Sequence, residues 1–166
     1  VRPVTKVAVV VFSSNSSLCG AFNSNVVKML EHTLEEYSTL GKENILLYPV
    51  GKKVEEAVRK LGYTPQGSYQ DMADKPSYTE AYQLAEQLMA LYAGKTVDRV
   101  VLIYHHFKSM GSQVLTKENY LPLDLEQMAM QVAMHPDKKE MASYNNDYIV
   151  EPSVGELIAE LLPKVL

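Results

Sequence analysis

Val7-Ala8-Val9-Val10-Val11-Phe12-Ser13-Ser14-Asn15-Ser16-Ser17-Leu18-Cys19-Gly20-Ala21-Phe22-Asn23 decides how this chain folds. Six apolar residues run without alternation, so both faces of the strand they form are expected to be buried. A polar turn follows, and small residues then open a helix. A central parallel strand lying under helices reads this way.

Working outward, a first helix is expected from about Gly20 to Leu40. Phe22, Val26, Met29, Leu30, Leu34 and Tyr37 form its apolar stripe, and Gly41 stops it. Asn44 to Val50 reads as a second strand, with Pro49 marking the limit of pairing. Lys52 to Leu61 is a second helix, with Val54, Ala57, Val58 and Leu61 inward and Gly62 at its end. Tyr63 to Pro76 is turn-rich, with room for a short strand. Ser77 caps a third helix, because Glu80 three residues on reaches back to the cap amide. Its inward face is Ala81, Leu84, Ala85, Leu88, Met89 and Tyr92, and Gly94 ends it.

Arg99 to His105 is the next strand, and Gly111-Ser112 separates it from an edge strand at Gln113 to Thr116. Lys117 to Asn146 lacks a sustained period and reads as loop, with a helical turn around Leu125 to Ala133. Ser153-Val154-Gly155-Glu156 is a second capping box opening a last helix. Positions 154, 158, 161 and 165 follow the four–three spacing of a coiled-coil seam, and Pro163 bends or frays it. The expected fold is α/β: a Rossmann-like layered sheet, mostly parallel, with helices on both faces. Residues 1–152 would form the globular domain and residues 153–166 the start of a C-terminal coiled-coil helix. A chain that begins almost at once with a core strand and stops inside a helical pattern reads as a piece of something longer.

At 166 residues, 46% of them apolar and 22% charged, the chain is long enough for one real core. A net charge of −4 argues against nucleic-acid binding through phosphate contacts. A single cysteine makes no internal disulfide and fits a reducing compartment. The N-terminus does not read as a signal peptide, and no stretch of about 20 apolar residues would span a bilayer.

Ser13, Ser14, Ser16 and Ser17 lie where open α/β sheets bind ligands, and with a helix N-terminus they would suit a phosphate. Neither glycine-rich phosphate motif is present, however, and serines also serve as caps and turn residues. Cys19 at a helix start would be an activated thiol if a histidine base stood beside it; a small buried side chain is the simpler reading. His105 and His106 are strand neighbours, so they face opposite sides and make poor joint metal ligands. His32 falls on a polar helix side, and Glu31, Glu35 and Glu36 form a solvated face. Asp71, Asp74 and Glu80 flank a loop without being forced together. No catalytic constellation emerges, and neither a cofactor nor a metal is expected.

Four blocks, in order, carry a family resemblance. They are Ser13 to Asn23, the strand ending in Phe107 with Ser112-Gln113-Val114, Leu121-Pro122-Leu123, and Asp147-Tyr148-Ile149-Val150-Glu151-Pro152 before a leucine-rich helix. Together they resemble the gamma subunit of F-type ATP synthase. That family usually reads Ser-Asp-Arg-Gly-Leu-Cys-Gly where this chain has Ser14-Asn15-Ser16-Ser17-Leu18-Cys19-Gly20, so no role resting on the Asp or Arg charge transfers. The resemblance implies a non-catalytic rotor component, the foot of the central stalk of a proton-translocating ATP synthase. Its implied partners are the epsilon subunit, the membrane ring of c subunits and the alpha/beta catalytic hexamer. Its implied location is peripheral, on the cytoplasmic side of a bacterial-type inner membrane. Tyr148 and Glu151 match the region that faces the ring, and the edge strand near Gln113 or a wet helix face would meet epsilon. The competing readings are a Rossmann-like nucleotide or small-molecule binding domain, and a thiol enzyme built on Cys19.

Overall fold

The computed structural model describes residues 3–15, 21–75, 78–109 and 112–122. Strand β1 (Val7–Phe12) leads through the polar turn to helix α1 (Ala21–Glu36). Strand β2 (Ile45–Val50), helix α2 (Lys52–Lys60), the short helix α3 (Gln70–Asp74) and helix α4 (Tyr78–Ala93) follow. Strands β3 (Arg99–Ser109) and β4 (Ser112–Leu121) complete the described elements.

The strand order is β2-β1-β3-β4. β1 pairs in parallel with β2 and β3, and β4 runs antiparallel to β3. Every residue of β1 is buried, as its unalternating sequence requires. Val7, Val9 and Val11 face one side with Leu47, Val101 and Ile103, and α1 and α2 cover them through Val26, Leu30, Val54 and Val58. Ala8, Val10 and Phe12 face the other side with Leu102 and Tyr104, where α3 and α4 lay down Met72, Ala81, Leu84 and Leu88. The sheet therefore lies between two helical layers, the α/β arrangement expected. Among the described residues, no helix is long and apolar enough to cross a membrane.

Several local expectations change. α1 ends at Glu36, and a 3-10 turn (Ser38–Leu40) carries the chain to Gly41. Tyr37 turns into the core at that break, and its hydroxyl accepts from the Arg99 guanidinium at 3.0 Å. The turn-rich stretch after α2 holds α3, and its strand character is a single parallel bridge, Leu47 to Pro65, beside β2. α4 ends at Ala93, so Gly94 stops it as expected, while the left-handed residue of the closure is Lys95 at φ 62°. The Thr96 and Lys95 amides bond back to the Leu91 and Tyr92 carbonyls in a Schellman closure.

The largest correction is in β4. Lys117 to Leu121, read as the start of a loop, extends the edge strand, and β3 runs four residues past His105. Cross-strand pairing overrides the weak local pattern, since Leu102 meets Glu118 and Val100 meets Leu121 across the ladder. The Ser77 cap, the helical turn at 125–133 and the helix at 153–166 lie outside the described residues.

Candidate functional site

In an open α/β sheet, ligands bind beyond the carboxyl ends of the strands, at helix N-termini and where the strand order reverses. Here that place is the exit of β1, flanked by β2 and β3.

Gly51 occupies the N-cap of α2 and has no side chain with which to cap it. The β1 exit supplies the missing acceptors. The Lys52 amide donates to Asn15 Oδ1 at 2.6 Å, the Lys53 amide to the Ser14 carbonyl at 3.4 Å, and the Val54 amide to Ser13 Oγ at 3.0 Å. Three successive helix donors, of the kind that would cradle a phosphate, are thus satisfied by three successive residues of the turn. The approach demands glycine: at φ 123°, a Cβ on Gly51 would sit 2.4 Å from the Ser13 carbonyl oxygen and 2.5 Å from Ser13 Oγ. Asn15 also reaches the other layer, donating from Nδ2 to the Gln70 carbonyl of α3 at 2.9 Å. Gln70 Nε2 in turn donates to Glu55 Oε2 at 3.3 Å.

The reversal point between β1 and β3 is filled as well. The Ser14 amide donates to Asn23 Oδ1 at 3.1 Å, and Asn23 Nδ2 donates to Ser14 Oγ at 3.0 Å. Beside them the Phe22 ring stacks on His105, with centroids 3.8 Å apart and planes 14° from parallel. Burial holds the imidazole pKa below its ordinary 6.5. Ser13, Ser14 and Asn15 therefore lock strand, helix and loop together. No signal in the turn itself shows this; Gly51 at a helix start, where a capping side chain is normal, is the clue.

His105 and His106 occupy opposite faces, as expected for strand neighbours. His32 is exposed beside Glu35, and Glu31 is exposed as well. Asp71 and Glu80 both line an open depression between α3 and α4. Among the described residues, no group of three or more His, Cys, Asp or Glu side chains is placed to hold a metal. Cys19, Ser16, Ser17, Tyr148 and Glu151 lie outside the described residues.

A second polar group sits on the β3–β4 hairpin and was not foreseen. Glu118 lies diagonal to Tyr104 and faces the α4 side with His106 and Tyr120. Burial raises the Glu118 carboxyl pKa, against the opposing effects of the Tyr104 hydrogen bond and the His106 charge. Burial, reinforced by Glu118, pushes the Tyr120 phenol pKa up. On the opposite face, Lys117 Nζ pairs with Glu36 of α1 at 2.7 Å.

The family model described as ATP synthase matches residues 1–166. The ATP synthase gamma chain of Bacteroides fragilis is 61% identical over 165 residues, covering 99% of this chain and 54% of that one. The gamma chain of Bacteroides thetaiotaomicron is 54% identical over 166 residues, covering 99% of this chain and 56% of that one. The chain thus spans about half the length of the curated relatives it matches. Among solved structures, a chain of the Tetrahymena thermophila mitochondrial ATP synthase central stalk and c-ring superposes with a TM-score of 0.57 at 20% identity. The match covers 99% of this chain and 78% of that one. A Euglena gracilis mitochondrial ATP synthase chain superposes at 0.55 and 19% identity, covering 98% of this chain and 54% of that one. At such identities these likenesses speak to the fold, and the fold agrees with the sequence match: this chain belongs to the ATP synthase family, as a gamma chain.

Proposed function

We propose that this chain forms the foot of the rotating central stalk of a proton-translocating ATP synthase. It would couple rotation of the membrane ring to ATP synthesis or hydrolysis in other subunits and carry out no bond-making itself. The observation that carries this reading is the unbroken match to gamma chains, 61% identical across 99% of the chain. The geometry supports it. A torque-bearing foot needs a stiff body, and here both faces of the central strand are covered while the turn at its end is cross-bonded to α1, α2 and α3. The α2 amides that would bind a nucleotide phosphate already have acceptors within the chain.

The implied partners are the epsilon subunit, the ring of c subunits and the alpha/beta hexamer, with the protein peripheral on the cytoplasmic side of a bacterial-type inner membrane. The outer edge of β4 near Gln113 or a wet helix face is offered to epsilon, and Tyr148 and Glu151 to polar loops of the ring. Residues 1–152 act as the globular domain, and residues 153–166 begin the shaft helix.

Replacing the matching half of the Bacteroides fragilis gamma chain with this sequence tests the reading. Membranes carrying the hybrid are expected to retain ATP-driven proton pumping. Assembly of the hybrid enzyme without pumping, or no assembly at all, would overturn it. A thermal-shift series with nucleotides is expected to be flat, whereas a ligand at 100 times its dissociation constant would add about 2.7 kcal/mol.

A further inference from the structure

We infer that the Phe22–His105 stack is an acid-sensitive latch, which holds the first turn of α1 against the end of β3 while the imidazole is neutral and releases it when the ring takes up a proton. The two rings lie 3.8 Å apart and 14° from parallel, in face-to-face contact. Phe22 is the second residue of α1, so the stack fixes where that helix starts. Asn23, next to it, bonds to Ser14 at the β1 exit, whose amide donates to it and whose hydroxyl accepts from it. The latch therefore ties α1, β1 and β3 together.

The groups packed around the imidazole give a positive charge no support. α1 brings the partial positive charge of its amide end and no acidic residue in its first turn. The β1 exit brings the neutral Ser13 and Ser14, and β4 sets Leu115 directly across the ladder. Among the described residues, the charged groups on this face are Lys117, diagonal to His105 on β4, and Glu36, which closes on Lys117 at 2.7 Å from the far end of α1. Lys28, Glu31 and Glu35 of α1 are exposed to solvent, and His106 is on the opposite face. Burial already holds the His105 pKa below 6.5. A ring freed from the stack regains water and its ordinary proton affinity. Protons therefore bind the open form more tightly, and a ligand that prefers one form shifts the population towards it. The latch is fully closed above pH 6.5 and opens as pH falls below that value. This inference uses contacts within the chain and does not rest on the rotor reading.

An NMR titration of the isotope-labelled chain between pH 7.5 and 5 tests it. The His105 ring is expected to titrate with a midpoint below 6.5. The Phe22 ring protons, displaced by the ring current of the stack, should move towards free phenylalanine positions with the same midpoint. The Ser14 amide should exchange about fivefold faster at pH 5 than at pH 7.5, once the intrinsic rate is divided out. The Val54 amide, held by Ser13, should keep its protection. His105→Phe keeps two stacked rings and removes the proton, so Ser14 should stay protected throughout. Phe22→Ala uncovers the imidazole and should raise its midpoint to about 6.5. A parent midpoint at or above 6.5 would mean that the Phe22 face holds the imidazolium rather than expelling it, and would overturn the latch. Phe22 signals that ignore the titration, or an equal loss of Ser14 protection in His105→Phe, would do the same. The parent titration stands by itself if either variant fails to fold.

Discussion

The exit of β1 and the β3–β4 hairpin are both polar outgrowths of the same sheet, and they treat their polar groups in opposite ways. At the β1 exit, Ser13, Ser14 and Asn15 bond to three α2 amides, to Asn23 and to the α3 carbonyl of Gln70. On the hairpin, Tyr120 is buried with a hydroxyl that has no hydrogen-bond partner among the described residues, and Glu118 is drawn into surroundings that disfavour its charge. The first region is a fastening in which neutral groups satisfy one another. The second holds titratable groups whose charge works against burial. The difference follows from position. The β1 exit is enclosed by helices on both sides, while β4 is an edge strand covered on only part of its length.

Substitutions should separate the two regions by size and by pH response. Gly51→Ala is expected to have the largest effect, costing about 3 kcal/mol or more. The new Cβ meets backbone rather than a movable side chain, at a φ that L residues rarely adopt. Urea unfolding would measure this, and a loss under 1 kcal/mol would mean the fastening relaxes far more easily than its geometry implies. Ser13→Ala removes the acceptor of the Val54 amide and should cost about 1–2 kcal/mol, independent of pH between 5 and 8, as befits a neutral cap.

Glu118→Gln should behave differently. The folded-state pKa of Glu118 is raised above its usual 4.5, so its contribution to stability is fully present below 4.5 and is lost as pH rises through the higher folded value. The variant is expected to flatten that decline and to unfold at a higher temperature than the parent at neutral pH. Equal melting curves for parent and variant from pH 4 to 8 would erase the contrast between hairpin and fastening.

The parallel half of the fold was legible because burial on both faces writes itself into composition. Val7 to Phe12 and Val100 to Ile103 admit few other readings. The edge was legible only at its start, where Gln113 to Thr116 read as a strand. Lys117 to Leu121 carry no period that separates strand from loop, and only pairing with Ile103 to Val100 makes them a strand. The candidate site was half legible. The serine-rich turn stood out, and its structural role was the reading that its lack of phosphate motifs favoured. Its partners were hidden, because Lys52 to Val54 lie some 40 positions away and offer backbone amides, which every residue has. Asn15 illustrates the limit. In the family motif its place is usually Asp, and sequence reasoning can record only a lost charge. The contacts show why an amide suits this chain: Oδ1 accepts from the Lys52 amide while Nδ2 donates to the Gln70 carbonyl, and a carboxylate would do the first and oppose the second.

Sequence alone determined the α/β class, the central place of β1, the two-sided helical cover and the family, because each rests on local runs of residue type and on motifs read in order. The tertiary structure alone decided the strand order, the length of β4 and the enclosure of the serine turn. Those depend on which distant backbone groups come within hydrogen-bond reach, and a hydrogen bond of about 3 Å is a property of the folded path rather than of any residue along it.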